Sequence, residues 1–389
     1  FDFHSGAQLS CNKAHIDLNS LYGAFSSFDS PVYYQDYLTE THKLLEVSSK
    51  EIDFSLTKHT NEKNHSKYEV SSLLAKNNVQ IEYANLYLIE ADSARYTNNQ
   101  DKKGMLEAFS HDAITSCTFT SGAHKIKAKA MQFDLNKEEL TLDNPLGKIS
   151  SFLFPHGEER LCTFSSNMLF WNHQNRHLHL EKEIEIQDEY FGSMLGKENL
   201  YIFQNEEYGK YVIRKILAQG ESVFTPKIDT TSTFCRLTSY GTLEIDRDAL
   251  EVRAISPLIH GKTPLEKQFI YEKEGCILYA DEGVLTYTLQ DLELKPSRIH
   301  LSGQVRFQRD MLYSVADSVL WDPSQSQIVF LAKPGKHIMF WNREKKLKIR
   351  ASKILMLIDS ETKEEMLQAE GVVHFEEDDN ILFEEFFPS

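Results

Sequence analysis

The sequence predicts an all-β protein built from stacked antiparallel hairpin repeats with a period of about 36 residues. Three observations predict it. A small residue followed three and five positions later by large apolar ones recurs along nearly the whole chain. Alternating runs bounded by turn residues follow each copy. The chain also carries 17 Tyr and 24 Phe, which suit a pleated, half-buried surface, and shows almost no helical periodicity.

The clearest copies are Ala91, Ala94, Tyr96; Ala128, Met131, Phe133; Ser165, Met168, Phe170; Ala316, Val319, Trp321; and Ala351, Ile354, Met356. Weaker copies are Cys11, Ala14, Ile16; Ser49, Ile52, Phe54; and Ala280, Gly283, Leu285. Successive copies lie 38, 37, 37, 36 and 35 residues apart, and the gap from 165 to about 238 leaves room for a degenerate copy near Tyr201–Tyr211. A fixed period of this kind marks a repeat architecture. After each copy come polar turn residues such as Asn136-Lys137, Asn175-Arg176 or Pro323-Ser324-Gln325, then a second alternating run such as His177-Leu178-His179-Leu180. Two such runs joined by turn chemistry make a hairpin. Each repeat is expected to hold two to three strands.

Residues two apart on a strand share a face. One face is therefore apolar from copy to copy, carrying Ile52, Phe54, Tyr96, Met131, Phe133, Met168, Phe170, Val319, Trp321, Ile354 and Met356. The other face mixes Arg95, Gln132 and Asp134 with Leu169, Leu320 and Leu355. The apolar face either fills a core or lines a groove for a lipid. Met131, Met168 and Met356 suit an adaptable lining, because a thioether fits irregular apolar shapes, and they suit core filling equally.

Composition narrows the function. A net charge of −16 repels phosphate backbones, so nucleic acid is not an expected partner. No run approaches the length of an apolar membrane-spanning helix. The five cysteines are widely spread with no CxxC pair, which argues against a disulfide framework. His177 and His179 share one strand face at a spacing zinc can use, but no third ligand accompanies them. Nucleophile elbows, HExxH helices and phosphate loops are missing, so neither catalysis nor a cofactor is expected. The acidic run Glu376–Asp379 reads as a solvated turn, and the apolar tail Ile381–Phe387 as a docking segment or a last strand.

The units 315–335, 349–375 and 125–147 resemble the lipopolysaccharide-transport β-jellyroll family, known as organic-solvent-tolerance-A-like. The resemblance rests on the Ala-Asp or Ala-Ser strand start, the polar hairpin turn and the closing Gly-Val strands Gly303-Gln304-Val305 and Gly371-Val372-Val373. It implies an elongated, open β-jellyroll whose apolar interior shelters acyl chains while the sugar head stays in water. It also implies a non-enzymatic bridge or carrier in the periplasm. The implied partners are lipopolysaccharide or a related glycolipid, and other β-jellyroll proteins or a second copy joined through edge strands. The chain is more than twice the length of a single bridge, so two jellyroll segments are expected, over residues 1–190 and 191–389. Its start at Phe1 fits removal of an upstream segment, by signal-peptide cleavage or by trimming. The competing expectation is a structural or adhesive surface repeat protein with a filled core.

Overall fold

The computed structural model describes residues 7–387 except 39–40, 61–65, 99–103, 111–115, 154–158, 189–191, 208–209, 228–234, 274, 291–292, 360–363 and 378–379. The protein is all-β, and its strands pair antiparallel throughout the described residues. Two compact units emerge. One comprises residues 1–182 with 203–212, the other 183–202 with 213–389.

In the first unit the strands sort into a front and a back sheet. The front sheet runs, neighbour to neighbour, through Lys13–Asp17, Tyr22–Ser26, Glu51–Thr60, the first part of Ser66–Tyr83, the second part of Tyr87–Thr97, Met105–Phe109, Ala130–Asp134, Glu139–Asp143, Met168–Asn172 and His177–Glu181. The back sheet runs through Gln8–Ser10, Val32–Leu38, Lys43–Ser49, the remaining parts of the two long strands, Cys117–Ser121, His124–Ala128, Leu146–Leu153 and Glu159–Ser165. Hairpins thus alternate, one in front and the next behind. A full period spans four strands, one hairpin per sheet, rather than the two to three expected from the sequence.

The second unit repeats the scheme. Its front sheet includes Thr242–Asp246, Glu251–Ile255, Glu282–Gln290, Gln327–Leu331, Lys353–Ile358 and Glu365–Glu370. Its back sheet includes Ile184–Asp188, Gly192–Gly196, Ser222–Pro226, Cys235–Ser239, Phe269–Lys273, Cys276–Ala280, Ile338–Asn342, Leu347–Ala351 and His374–Glu377.

Two pairs of long strands serve both sheets. Ser66–Tyr83 changes sheet at Asn77 and Asn78, both in the left-handed region (φ 65° and 58°), where Asn is among the few side chains readily accommodated. Glu293–Arg309 does so next to Gly303, at φ 86°. The described crossings between front and back, among them Lys129, Asn144, Asn167, Asp281 and Ser352, all fall at one end of their strands. The hairpin turns fall at the other end. Each unit is therefore two sheets stitched along one seam by the backbone, with a free edge where the hairpin tips of the two sheets meet.

Between the sheets lies the core. Phe119, Phe133, Phe269, Phe307, Phe330 and Phe340 are among its fully buried side chains. Four of the five cysteines are buried, and none forms a disulfide. The apolar tail is neither a strand nor a free segment: Asn380–Phe386 forms a short helix on the outer side of the second unit's back sheet. Phe383 and Phe387 pack their rings 4.8 and 5.0 Å from Tyr313, and Arg306 Nη1 donates to the Phe386 carbonyl at 2.8 Å.

Candidate apolar site between the sheets

Most residues singled out by the repeat do sit between the sheets. Ile52, Phe54, Tyr96, Met131 and Phe133 do so in the first unit, and Val319, Trp321, Ile354 and Met356 in the second, none more than 4% exposed. Met168 and Phe170 do not. Met168 is half-buried, and Phe170 is 36% exposed on the outer side of the front sheet, stacked on His179 at 5.6 Å. Leu169 and Trp171 take the inward places. The copy begins one residue later than the spacing suggests. Ser166, buried like Ala128, is the small seam residue, and its N–H donates to the Pro145 carbonyl at 3.2 Å, which carries the back-sheet ladder past Ser165. Asn167 alone joins the sheets, as Lys129 and Ser352 do in other strong copies, and Ser166 Oγ donates to the Met168 carbonyl at 2.8 Å across it, as Ser49 Oγ does to the Glu51 carbonyl across Lys50. A slip of one residue reverses every side chain on a strand.

The repeat pattern also missed half of the interior, because it followed the front sheet alone. From the back sheet come Tyr83, Tyr87, Phe119, Ile126 and His124 in the first unit, and Phe269, Tyr271 and Phe307 in the second. Their signal was present in the alternation of runs such as Cys117-Thr118-Phe119 and His124-Lys125-Ile126.

The free edge of the first unit is closed by side chains reaching across from both sheets. Lys43 of the back sheet pairs with Glu138 in a front-sheet turn. The Tyr83 hydroxyl donates to the Leu135 carbonyl at 2.9 Å. The Tyr87 ring meets Phe133 edge-on at 5.3 Å and His173 at 5.4 Å, and Phe119 meets Trp171 at 5.4 Å. Edge-to-face aromatic pairs of this kind add about 0.5–1.5 kcal/mol each beyond burial. Burial raises the Tyr83 and Tyr87 hydroxyl pKa values, so both rings are neutral. Burial also holds His124 down at about 4 and His173 below the usual histidine range.

In the second unit the edge is held by Tyr271 against Trp321 at 5.7 Å, by Lys273 over the same indole at 5.7 Å, and by Arg309 Nε to Glu365 at 3.2 Å. A narrow apolar crevice of about 20 Å³ lies there, lined by Phe224 and Pro226 from behind and Ile245, Leu250, Val252 and Tyr287 from the front. That volume holds about one water molecule.

His177 and His179 lie on the front sheet, where His177 stacks on Phe203 at 4.9 Å. Among the described residues no three His, Cys, Asp or Glu side chains cluster as metal ligands, and no helix is long and apolar enough to cross a membrane.

No family model matches the chain, and no curated protein is similar to it. Among solved structures it is similar to LptH from Pseudomonas aeruginosa, described as the LptA-homologous periplasmic component of the conserved lipopolysaccharide transport device. The similarity has a TM-score of 0.27 at 9% identity and covers 35% of this chain and 81% of that one.

Proposed function

We propose that the chain is a non-enzymatic carrier that shelters the acyl chains of an amphiphile between its front and back sheets. In the full form of the proposal, the amphiphile is lipopolysaccharide or a related glycolipid, carried in the periplasm towards the outer membrane. One observation carries the proposal: in each unit the backbone joins the two sheets along one seam only. Parting the other edge breaks side-chain contacts but no strand pairing, and it gives access to a continuous apolar interior. Inserting a chain there returns about 0.8 kcal/mol per CH₂, on the order of 10 kcal/mol for one acyl chain. That sum is set against the edge contacts and the sheet-to-sheet packing that the chain displaces. Ile52, Phe54, Tyr96, Met131, Phe133, Val319, Trp321, Ile354 and Met356 would line the path, with Leu169 and Trp171 in place of Met168 and Phe170. The edge strands Glu365–Glu370 and His374–Glu377, each paired on one side, offer places for a second β-jellyroll or another copy to add a strand.

A second reading has its own observation. The inward residues are almost completely buried, as in a structural or adhesive repeat protein whose core is simply filled. Photocrosslinking separates the two. With a photoreactive phenylalanine analogue at Phe133 or Trp171 and purified lipopolysaccharide as probe, the carrier gives a lipid adduct, whereas the analogue at the outward Phe170 gives none. A folded protein with no adduct at either inward position favours the filled core.

A further inference from the structure

The free edge of the first unit holds two imidazoles that acyl-chain binding does not use. His124, at a back-sheet tip, lies with its ring 5.5 Å from Trp171 of the front sheet. His173, just beyond Trp171, lies 5.8 Å from the same indole, 5.4 Å from Tyr87 across the gap and 5.1 Å from Tyr211. The indole is thus held between two histidines where the sheets meet.

His124 is bonded as a neutral base. Ser150 N–H donates to Nδ1 of His124 at 3.4 Å, which requires the lone pair that protonation would remove. Nε2 of His173 is 3.4 Å from the Tyr211 hydroxyl, and its Nδ1 is buried without a hydrogen-bond partner.

We propose that this edge is an acid-operated latch: neutral His124 and His173 hold the hairpin tips together around Trp171, and their protonation parts the tips and uncovers the apolar interior. The proposal rests on the free edge being the way into the carrier, although the opening itself needs no lipid.

The surrounding charges favour opening once a proton binds. Lys43 and Tyr87 face His173 from the back sheet, and Glu138, Arg176 and Tyr211 from the front. Glu138 attracts a charged His173, but Lys43 already engages it, and Lys43 and Arg176 both oppose the new charge. Arg176 is itself paired with Glu206 at 2.7 Å. His173 opposes charge on His124 in turn. Burial is the largest cause for both rings, so the protonated form is stabilised by water at an open edge.

Hydroxyl-radical footprinting on the full chain tests the latch, with rates normalised to the exposed Phe28. The reporters are the side chains of Phe119, Phe133 and Trp171, buried between the tips, which parting them uncovers while every strand pairing is kept. If His124 titrates at about 4 when closed and near 6.5 when open, opening increases about thirtyfold from about pH 7.5 to about pH 5. The His124→Gln/His173→Gln variant should lose that response. An equal acid response in the variant, or none in the native protein, overturns the latch. Should the double variant not fold, an NMR titration of His124 in the native protein decides, and an ordinary histidine pKa overturns it. Photocrosslinking near pH 7.5 reads the acyl site separately, so either proposal can fail alone.

Discussion

Replacing Phe170 and Trp171 by alanine, one at a time, gives opposite expectations for two adjacent aromatic residues. Trp171 is 3% exposed and meets Phe119 and His124 at 5.4 and 5.5 Å. Removing it costs burial of about 2–3 kcal/mol plus two ring contacts of about 0.5–1.5 kcal/mol each, or about 4 kcal/mol. That agrees with the 3–5 kcal/mol typical of deleting a buried large aromatic. Phe170 is 36% exposed and has one stacked partner, His179, so its removal should cost less than about 1 kcal/mol. With a urea slope of about 2 kcal/mol per molar, Trp171→Ala lowers the unfolding midpoint by about 2 M and Phe170→Ala by less than about 0.5 M. Far-UV circular dichroism against urea reads both. Equal shifts, or a larger one for Phe170, would refute the register and with it the assignment of inward residues after Ser165.

Three further outcomes are expected. Gly283→Ala should destabilise by about 1–3 kcal/mol, because the added Cβ would lie 2.3 Å from the Phe269 ring; unchanged thermal unfolding would show that this ring does not fill the space. His124 should make stability fall with acid: its folded pKa of about 4 lies below the unfolded 6.5, so the unfolded chain binds the proton more readily below about pH 6.5. The loss should grow to about 3 kcal/mol near pH 4 and shrink in His124→Gln, as urea midpoints across pH would reveal. Cys117, its thiol pushed by burial up to about 11, should resist iodoacetamide in the native state at neutral pH; rapid alkylation by mass spectrometry would contradict its burial.

Much of this architecture was legible in the sequence because the period repeats a physical unit. A small residue marks the seam, and two inward residues follow on the front strand, so Ala128, Met131, Phe133 and Ala351, Ile354, Met356 mean the same thing in space. What failed did so for local reasons. Two serines stand side by side at the seam before Met168, and counting from Ser165 rather than the buried Ser166 shifts the copy by one residue, which exchanges Leu169 and Trp171 for Met168 and Phe170. The copy Ala280, Gly283, Leu285 looked degenerate because the place beside Gly283 is filled by Phe269 from the opposite sheet, a contact no spacing along one strand can express. The closing side chains were harder still. Tyr83 and Leu135 lie far apart in the sequence and meet only because two hairpin tips face each other. The tail turned helical because Tyr313 and Trp341 offer it a surface, while the sequence alone displayed only its hydrophobicity.

The alternation of hairpins between sheets also shapes how the chain can be made. Each strand pairs with its immediate neighbour or with one roughly a period away, as Glu139 with Asn172 and Cys235 with Lys273. No described pairing reaches much beyond one period, and local pairing shortens the search that usually slows sheet formation. A chain appearing from its N-terminus can lock one period as soon as the next is available, in the manner of a nearest-neighbour array. Assembly becomes a travelling front with a single unfinished rim, and only that rim is open to mispairing at any moment.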